Sequence, residues 1–149
     1  MLATTVSNSL LNAFFARGET NNVIPTSGQC YLGMSTTTPT ISSNGAIGNF
    51  TEPAASTGYK RSRLGIKGNA ATYIMDAAAN GEIKNGTNFI FFDEATIGGG
   101  GFGTLTHFGL FSSETEGSPI LVGALTNSVT VAEGNVLIFR PDNLKVSME

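Results

Sequence analysis

The chain has no tryptophan, one cysteine and one histidine. The single thiol, Cys30, excludes an internal disulfide and a cysteine-based zinc site. It lies in an alternating apolar stretch, and free cysteine is among the most buried residue types, so a packed thiol is expected rather than a reactive one. Charge is also scarce. Only 13% of residues are charged, against roughly 25% in ordinary domains. The net charge of −3 argues against nucleic-acid binding, which needs Lys and Arg to displace counterions. No run approaches the ~20 apolar residues of a membrane span. Residues 1–18 lack a basic stretch and space their apolar residues apart, so no secretory signal is expected.

What the chain has instead is neutral polarity. Ser, Thr and Asn outnumber the charged residues by more than two to one. Such a surface suits a protein packed against many neighbours, and secreted domains can look the same. One domain, 1–149, is expected. A chain of this size buries roughly 68% of the surface its unfolded form exposes, enough for one core.

The strongest strand signal is FGTLTHFGLFSSETEGSPILVGAL, residues 102–125. Leu105, His107, Gly109 and Phe111 alternate with Thr104, Thr106, Phe108 and Leu110, the period of a strand. SSETEGSP has the chemistry of a solvated turn. ILVGAL returns as a buried strand, in which Gly123 marks a bulge or a close backbone approach. Phe108, Leu110, Leu121 and Leu125 are expected to pack with Phe89 or Phe91.

Before this hairpin, Thr4 or Thr5 is placed to cap a helix running to about Arg17, with Gly18 closing it. Leu10, Leu11, Phe14 and Phe15 share one face of that helix. Residues 19–28 read as a polar connector and 29–35 as a strand with Cys30, Leu32 and Met34 on one face. Residues 36–55 read as a long loop, and 59–66 as a strand with Tyr59, Arg61 and Arg63 together. Residues 69–81 fit either a short helix ended by Gly81 or an irregular strand followed by an Asn-Gly turn. NFIFF, 88–92, reads as a fully buried strand, and 93–101 as a glycine-rich loop. Short strands are expected at 127–131, 135–140 and 143–149. Many short strands between Gly, Pro and Asn turns indicate an all-β fold: an antiparallel, jelly-roll-like β-sandwich with one N-terminal α-helix.

Groups able to do chemistry are few. His107 is expected to be hydrogen-bonded inside the sheet, without the nucleophile or carboxylate a catalytic histidine needs. Asp93–Glu94 and the Glu114/Glu116 pair read as solvated loop charge. The alternatives are a glycosidase pair or a calcium site, but a sugar-cleaving groove needs aromatic platforms and calcium needs more oxygens. Gly98–Gly101 is not a phosphate loop, because no Gly-Lys-Ser/Thr follows. Lys60, Arg61, Arg63 and Lys67 form the basic patch, either a solvated strand face or one side of an interface. No catalytic residue, cofactor or metal is expected.

Four stretches carry a resemblance. They are YLGMSTTTPT (31–40), the TEP…GY-x-R run (51–61), GTLTHFGLF with the VGALT that follows it, and V-x-x-G-N (131–135). In this order they resemble a family of small bacteriophage virion proteins, often labelled tail-fibre or structural proteins, over nearly the whole chain. Where that family often has a tryptophan before the GT-x-THFG run, this chain has Phe102 and an added glycine run. The resemblance favours the extended reading of 69–81. It implies a non-enzymatic, multi-copy virion component made in a bacterial cytoplasm. Capsid decoration, a head-fibre base and a tail-fibre base all fit, with other capsid, neck or tail proteins as partners. A carbohydrate-binding β-sandwich is the alternative, and an enzyme resting on His107 and the acidic loops a third reading.

If the strands fill the core by themselves, the apolar groups of 1–18 and 36–55 must go elsewhere. Leu10, Leu11, Phe14, Phe15, Ile41, Ile47 and Phe50, with Tyr59 and Arg61, are therefore the expected interface. A symmetric homo-oligomer such as a trimer is one destination, and a site on the virion another.

Overall fold

The computed structural model describes residues 3–17 and 28–148. Among these residues one α-helix, α1 (Thr4–Phe14), precedes ten strands: β1 (Gln29–Ser35), β2 (Thr40–Ile41), β3 (Ile47–Gly48), β4 (Ser62–Ile66), β5 (Glu82–Lys84), β6 (Ile90–Phe91), β7 (Gly103–Phe111), β8 (Leu121–Val131), β9 (Ile138–Phe139) and β10 (Lys145–Ser147). The main sheet is antiparallel, in the order β4-β1-β7-β8. The ribbons β5–β10 and β6–β9, with α1, supply the facing layer, so the chain is an antiparallel β-sandwich with an N-terminal helix.

One core lies between the layers. Leu32 pairs with Leu110, and Leu110 with Leu121; Met34 pairs with Phe108, and Phe108 with Gly123. The alternation along β7 breaks once. The register with β8 moves from Leu105↔Val129 to His107↔Ala124, so residues 125–128 bulge from the ladder. Leu105 therefore enters the core with Phe108 and Leu110, not the outer face with His107. The same bulge joins 120–125 and 127–131, read from sequence as separate strands, into one that starts at Leu121. Gly123 is the close approach the sequence indicated: a β-carbon there would lie 2.6 Å from the Phe108 ring.

The helix corrects three expectations. Its N-cap is Ala3, not Thr4 or Thr5, and the Val6 and Ser7 N–H groups bond the Ala3 carbonyl. Its end comes earlier than Arg17. Ala16 takes the left-handed conformation at φ 57°, its N–H bonds Ala13 O at 3.2 Å, and the Arg17 N–H bonds Asn12 O at 2.7 Å. This is a Schellman closure with alanine where glycine is usual; Gly18 lies outside the described residues, as does most of the polar connector. Most importantly, the apolar face is not left over. Leu11 and Phe15 are fully buried in the core, and Asn8 and Asn12 accept the N–H groups of Gly81 and Ala78. The strands alone do not fill this core, because the facing ribbons are only two or three residues long.

Elsewhere the long loop contains a small hairpin, β2–β3, and the strand expected from Tyr59 begins only at Ser62. Residues 69–81 are extended after a 3-10 turn at Ala70–Thr72. They close on Asn80 and Gly81 at φ 53° and 75°, the two left-handed residues of a type I′ hairpin turn. NFIFF is not buried on both faces: Ile90 and Phe92 point into the core, whereas Phe89 and Phe91 stack on each other outside it. Neither therefore packs with Phe108 or Leu121.

Burial ranks the core substitutions. Leu11→Ala and Phe15→Ala should each cost about 3–5 kcal/mol in urea unfolding, whereas Leu121→Ala, at a half-buried site, should cost less. A loss below about 0.5 kcal/mol for Leu11→Ala would mean that the helix does not close the core.

Candidate functional site

The outer face of the main sheet starts with a gap. Gly33 of β1 pairs directly with Gly109 of β7, leaving a trough without side chains. Three groups fill it. A β-carbon at Gly33 would lie 2.6 Å from the Phe111 ring and 2.7 Å from a Glu52 carboxylate oxygen, and one at Gly109 would lie 2.8 Å from the Phe50 ring. Phe50 and Phe111 meet edge to face at 5.4 Å. Over Phe111 lies the guanidinium of Arg61, 3.4 Å from the ring centroid, a cation–π contact strengthened by desolvation.

Each of the three guanidinium nitrogens has a partner. Nε reaches Glu52 Oε1 at 3.0 Å and Nη2 reaches Oε2 at 2.7 Å, a bidentate pair. Nη1 donates to the carbonyls of Ser113 and Glu116 at 2.7 and 2.9 Å, holding the SSETEGSP turn from inside. The Tyr59 hydroxyl donates to Glu52 Oε1 at 2.9 Å and accepts the Met34 N–H at 2.7 Å, where β4 no longer covers β1. Burial, and then the charge of Glu52, push the Tyr59 pKa far up, so it stays a neutral donor. The TEP…GY-x-R run is thus one hydrogen-bonded node.

The node also secures the base of the 36–51 segment. Ser35 Oγ accepts the Thr51 N–H at 3.0 Å, the Thr36 N–H bonds Thr51 O at 2.9 Å, and Asn49 Nδ2 bonds Thr38 O at 2.7 Å. Beyond this base β2 and β3 form an arm that carries Ile41, 69% exposed.

The expected interface residues fall in three places. Leu11 and Phe15 are in the core, with Leu10 and Phe14 half-buried beside them. Ile41 and Ile47 are on the arm. Phe50, Tyr59 and Arg61 belong to the node, where Tyr59 and Arg61 are buried. They do not form one surface. Arg61 in particular leaves the basic patch, because it faces Glu52 rather than solvent, whereas Lys60 and Arg63 are exposed.

The sequence reading missed an exposed apolar face on the β6–β9 ribbon. Phe91 pairs with Ile138 on its outer side, and Phe89 stacks on Phe91 at 5.8 Å. The alternation of Asn88, Ile90 and Phe92 was the signal for it. A groove of about 390 Å³ beside Phe91 is lined by Lys60, Arg63, Asp93 and Glu114. A second, of about 460 Å³, runs between Glu52, Pro53, Tyr59 and Thr115. Lys60 and Asp93 pair at 3.5 Å on the surface, a contact worth little.

His107 is half-buried on the outer face of the sheet, its Nδ1 2.8 Å from the Thr106 hydroxyl. Among the described residues no cluster of three potential metal ligands occurs. The glycine-rich loop is held by Glu133, which accepts the N–H groups of Gly98 and Gly100 at 3.0 and 2.7 Å. These two bonds keep its carboxyl below the ordinary glutamate range.

A family model described as Podophage GP4 fiber I protein gp80 matches residues 1–147. No curated protein matches the chain.

The node sets two predictions. Arg61→Lys cannot restore a planar, bidentate and stacked contact. It should destabilise the fold nearly as much as Arg61→Ala, by about 3–5 kcal/mol in chemical denaturation; full stability in the lysine variant would show that charge alone suffices. For the loop, a lowered carboxyl pKa means stabilisation that is present above the unfolded-state value and lost as pH falls through the folded one. The Gly98 and Gly100 amide resonances should titrate together with a midpoint below that of an ordinary glutamate, and Glu133→Gln should abolish that titration.

Proposed function

The chain belongs to the podophage GP4 fiber I protein gp80 family, and from that membership we propose a non-enzymatic, multi-copy surface module of the virion, a capsid decoration or a fibre base, anchored through its arm. It is a bacteriophage fibre-type structural protein, a virion component that associates with other virion proteins. The proposed module is a homo-oligomer. The observation that supports this is the arm itself. Residues 36–51 contain no charged side chain, their base is clamped by hydrogen bonds, and Ile41 is held out in solvent. An ordered, uncharged projection with an apolar end suits docking, since desolvating it removes no charge from water. The polar groups of the node are consumed in holding backbone, which accords with a structural role.

A second reading has its own observation. The stacked Phe89–Phe91 pair beside the Lys60, Arg63, Asp93 and Glu114 groove offers an aromatic face with polar neighbours, the composition of a glycan-binding module.

Ile41→Asp tests the first reading. Mass spectrometry of purified particles should show its copy number reduced roughly tenfold or more, the effect of weakening one contact by about 1.4 kcal/mol, while the circular dichroism of the isolated chain is unchanged. Normal incorporation would remove the arm from the attachment. Saturable binding of one glycan on an array, lost in Phe91→Ala, would favour the second reading.

A further inference from the structure

The two grooves border the turn that follows β7, and they share walls. The groove of about 390 Å³ holds Ser62, Arg63, Phe91 and Asp93, and that of about 460 Å³ holds Glu52, Pro53, Tyr59 and Thr115. Lys60, Arg61 and Glu114 line both. Together the grooves make one cleft along residues 58–63, with the turn as its wall. Arg61 fixes that wall from beneath, because it bonds the Ser113 and Glu116 carbonyls on either side of Glu114. The cleft is therefore preformed, as ligand sites usually are.

Its unpaired charges are one of each sign. Lys60 pairs with Asp93 at 3.5 Å and Arg61 with Glu52 at 2.7 Å. The side chains of Arg63 and Glu114 have no ion pair or hydrogen bond among the described residues. Both line the Phe91 groove, yet they do not reach each other. Phe91 itself is 58% exposed, and Phe89 stacks on it 22° from parallel, extending the aromatic surface.

We infer that this cleft binds an uncharged oligosaccharide, with one pyranose ring on Phe91 between Arg63 and Glu114 and the next units running past Lys60 to Thr115. The inference rests on the glycan-binding reading and names its ligand class and the path of the ligand. Charge selects the class. At the Phe91 groove Lys60 and Arg63 cancel Asp93 and Glu114. A ligand with a fixed charge satisfies one member of the free pair and is repelled by the other. A hydroxyl both donates and accepts, so one sugar ring serves the guanidinium as acceptor and the carboxylate as donor. The C–H face of that ring lies on the electron-rich face of Phe91.

Amide chemical-shift mapping on the full chain tests this. The probes are glucose and galactose oligomers of one, two and four units, and glucuronic and galacturonic oligomers of the same lengths. An uncharged tetramer should shift Ser62, Arg63, Phe91 and Glu114, and also Thr115, which the single sugar should leave unmoved. Affinity should rise with length in the uncharged series. The uronic series should bind roughly tenfold more weakly, a difference of about 1.4 kcal/mol. Arg63→Ala should weaken binding by a similar factor and Phe91→Ala should abolish it, both with unchanged circular dichroism, since these side chains are exposed. Glu114→Lys should invert the preference, because the cleft then holds two free cations. Equal or tighter binding of the uronic series by the unaltered chain, or an affinity that does not rise with length, would overturn the inference while leaving a glycan site at Phe91. Shifts confined to residues outside the cleft, or no binding in either series, would remove that site as well.

Discussion

The outer half of this structure depends on one buried cation. Arg61 is nearly sealed from solvent, lies against an aromatic ring and shares a carboxylate with a buried tyrosine. A guanidinium in such a place is costly unless every donor it turns inward finds an acceptor. Here the acceptors come from separate parts of the chain: Glu52 below the arm and the carbonyls of the turn after β7. Tyr59 then passes the same carboxylate's influence to β1 through the Met34 N–H. Removing any one of these partners leaves the others buried with an unmet demand. The node therefore behaves as a unit, and it specifies the positions of the surface segments more than it adds to net stability.

That arrangement turns polar and aromatic groups into fixed geometry. A fibre-family component has to present fixed surfaces to its neighbours. The paired glycines of β1 and β7 admit the rings of Phe50 and Phe111, the rings seat the guanidinium, and the guanidinium fixes both the turn and the base of the arm. The helix has the opposite task. Its apolar side completes a core that the short ribbons cannot close.

Much of this was legible in the sequence. Strand alternation located β1 and the central hairpin, because a face buried against one core leaves a period of two. The Asn-Gly pair announced its turn for the same local reason: few other residues accept two consecutive left-handed conformations. What sequence could not show was where the alternation would slip. The bulge opposite Thr106 turned Leu105 inward, and no residue there advertises it. The helix face was read as surplus because periodicity reports an apolar stripe without saying what covers it. Arg61 and Tyr59 were placed at an interface because they share a strand parity with exposed Arg63. Their burial came from Glu52, nine residues before Arg61, brought back by a turn around Gly58. Phe89 and Phe91 were hidden by their company, since a short run of large apolar residues reads as buried on both faces.

The span of the Arg61 contacts has a consequence in time. The guanidinium joins carbonyls 52 and 55 residues further along the chain. Contacts of such separation form only after their loop-closure entropy has been overcome, which places them late in folding. A chain still emerging from the ribosome has Glu52 and Arg61 long before it has the turn that completes their node. Until β7 and β8 close, the base of the arm hangs from a carboxylate that is not yet fixed. The arm becomes rigid only when the sheet beneath it is finished. An incomplete chain thus holds no fixed arm, and the shape of that surface is timed by the completion of folding.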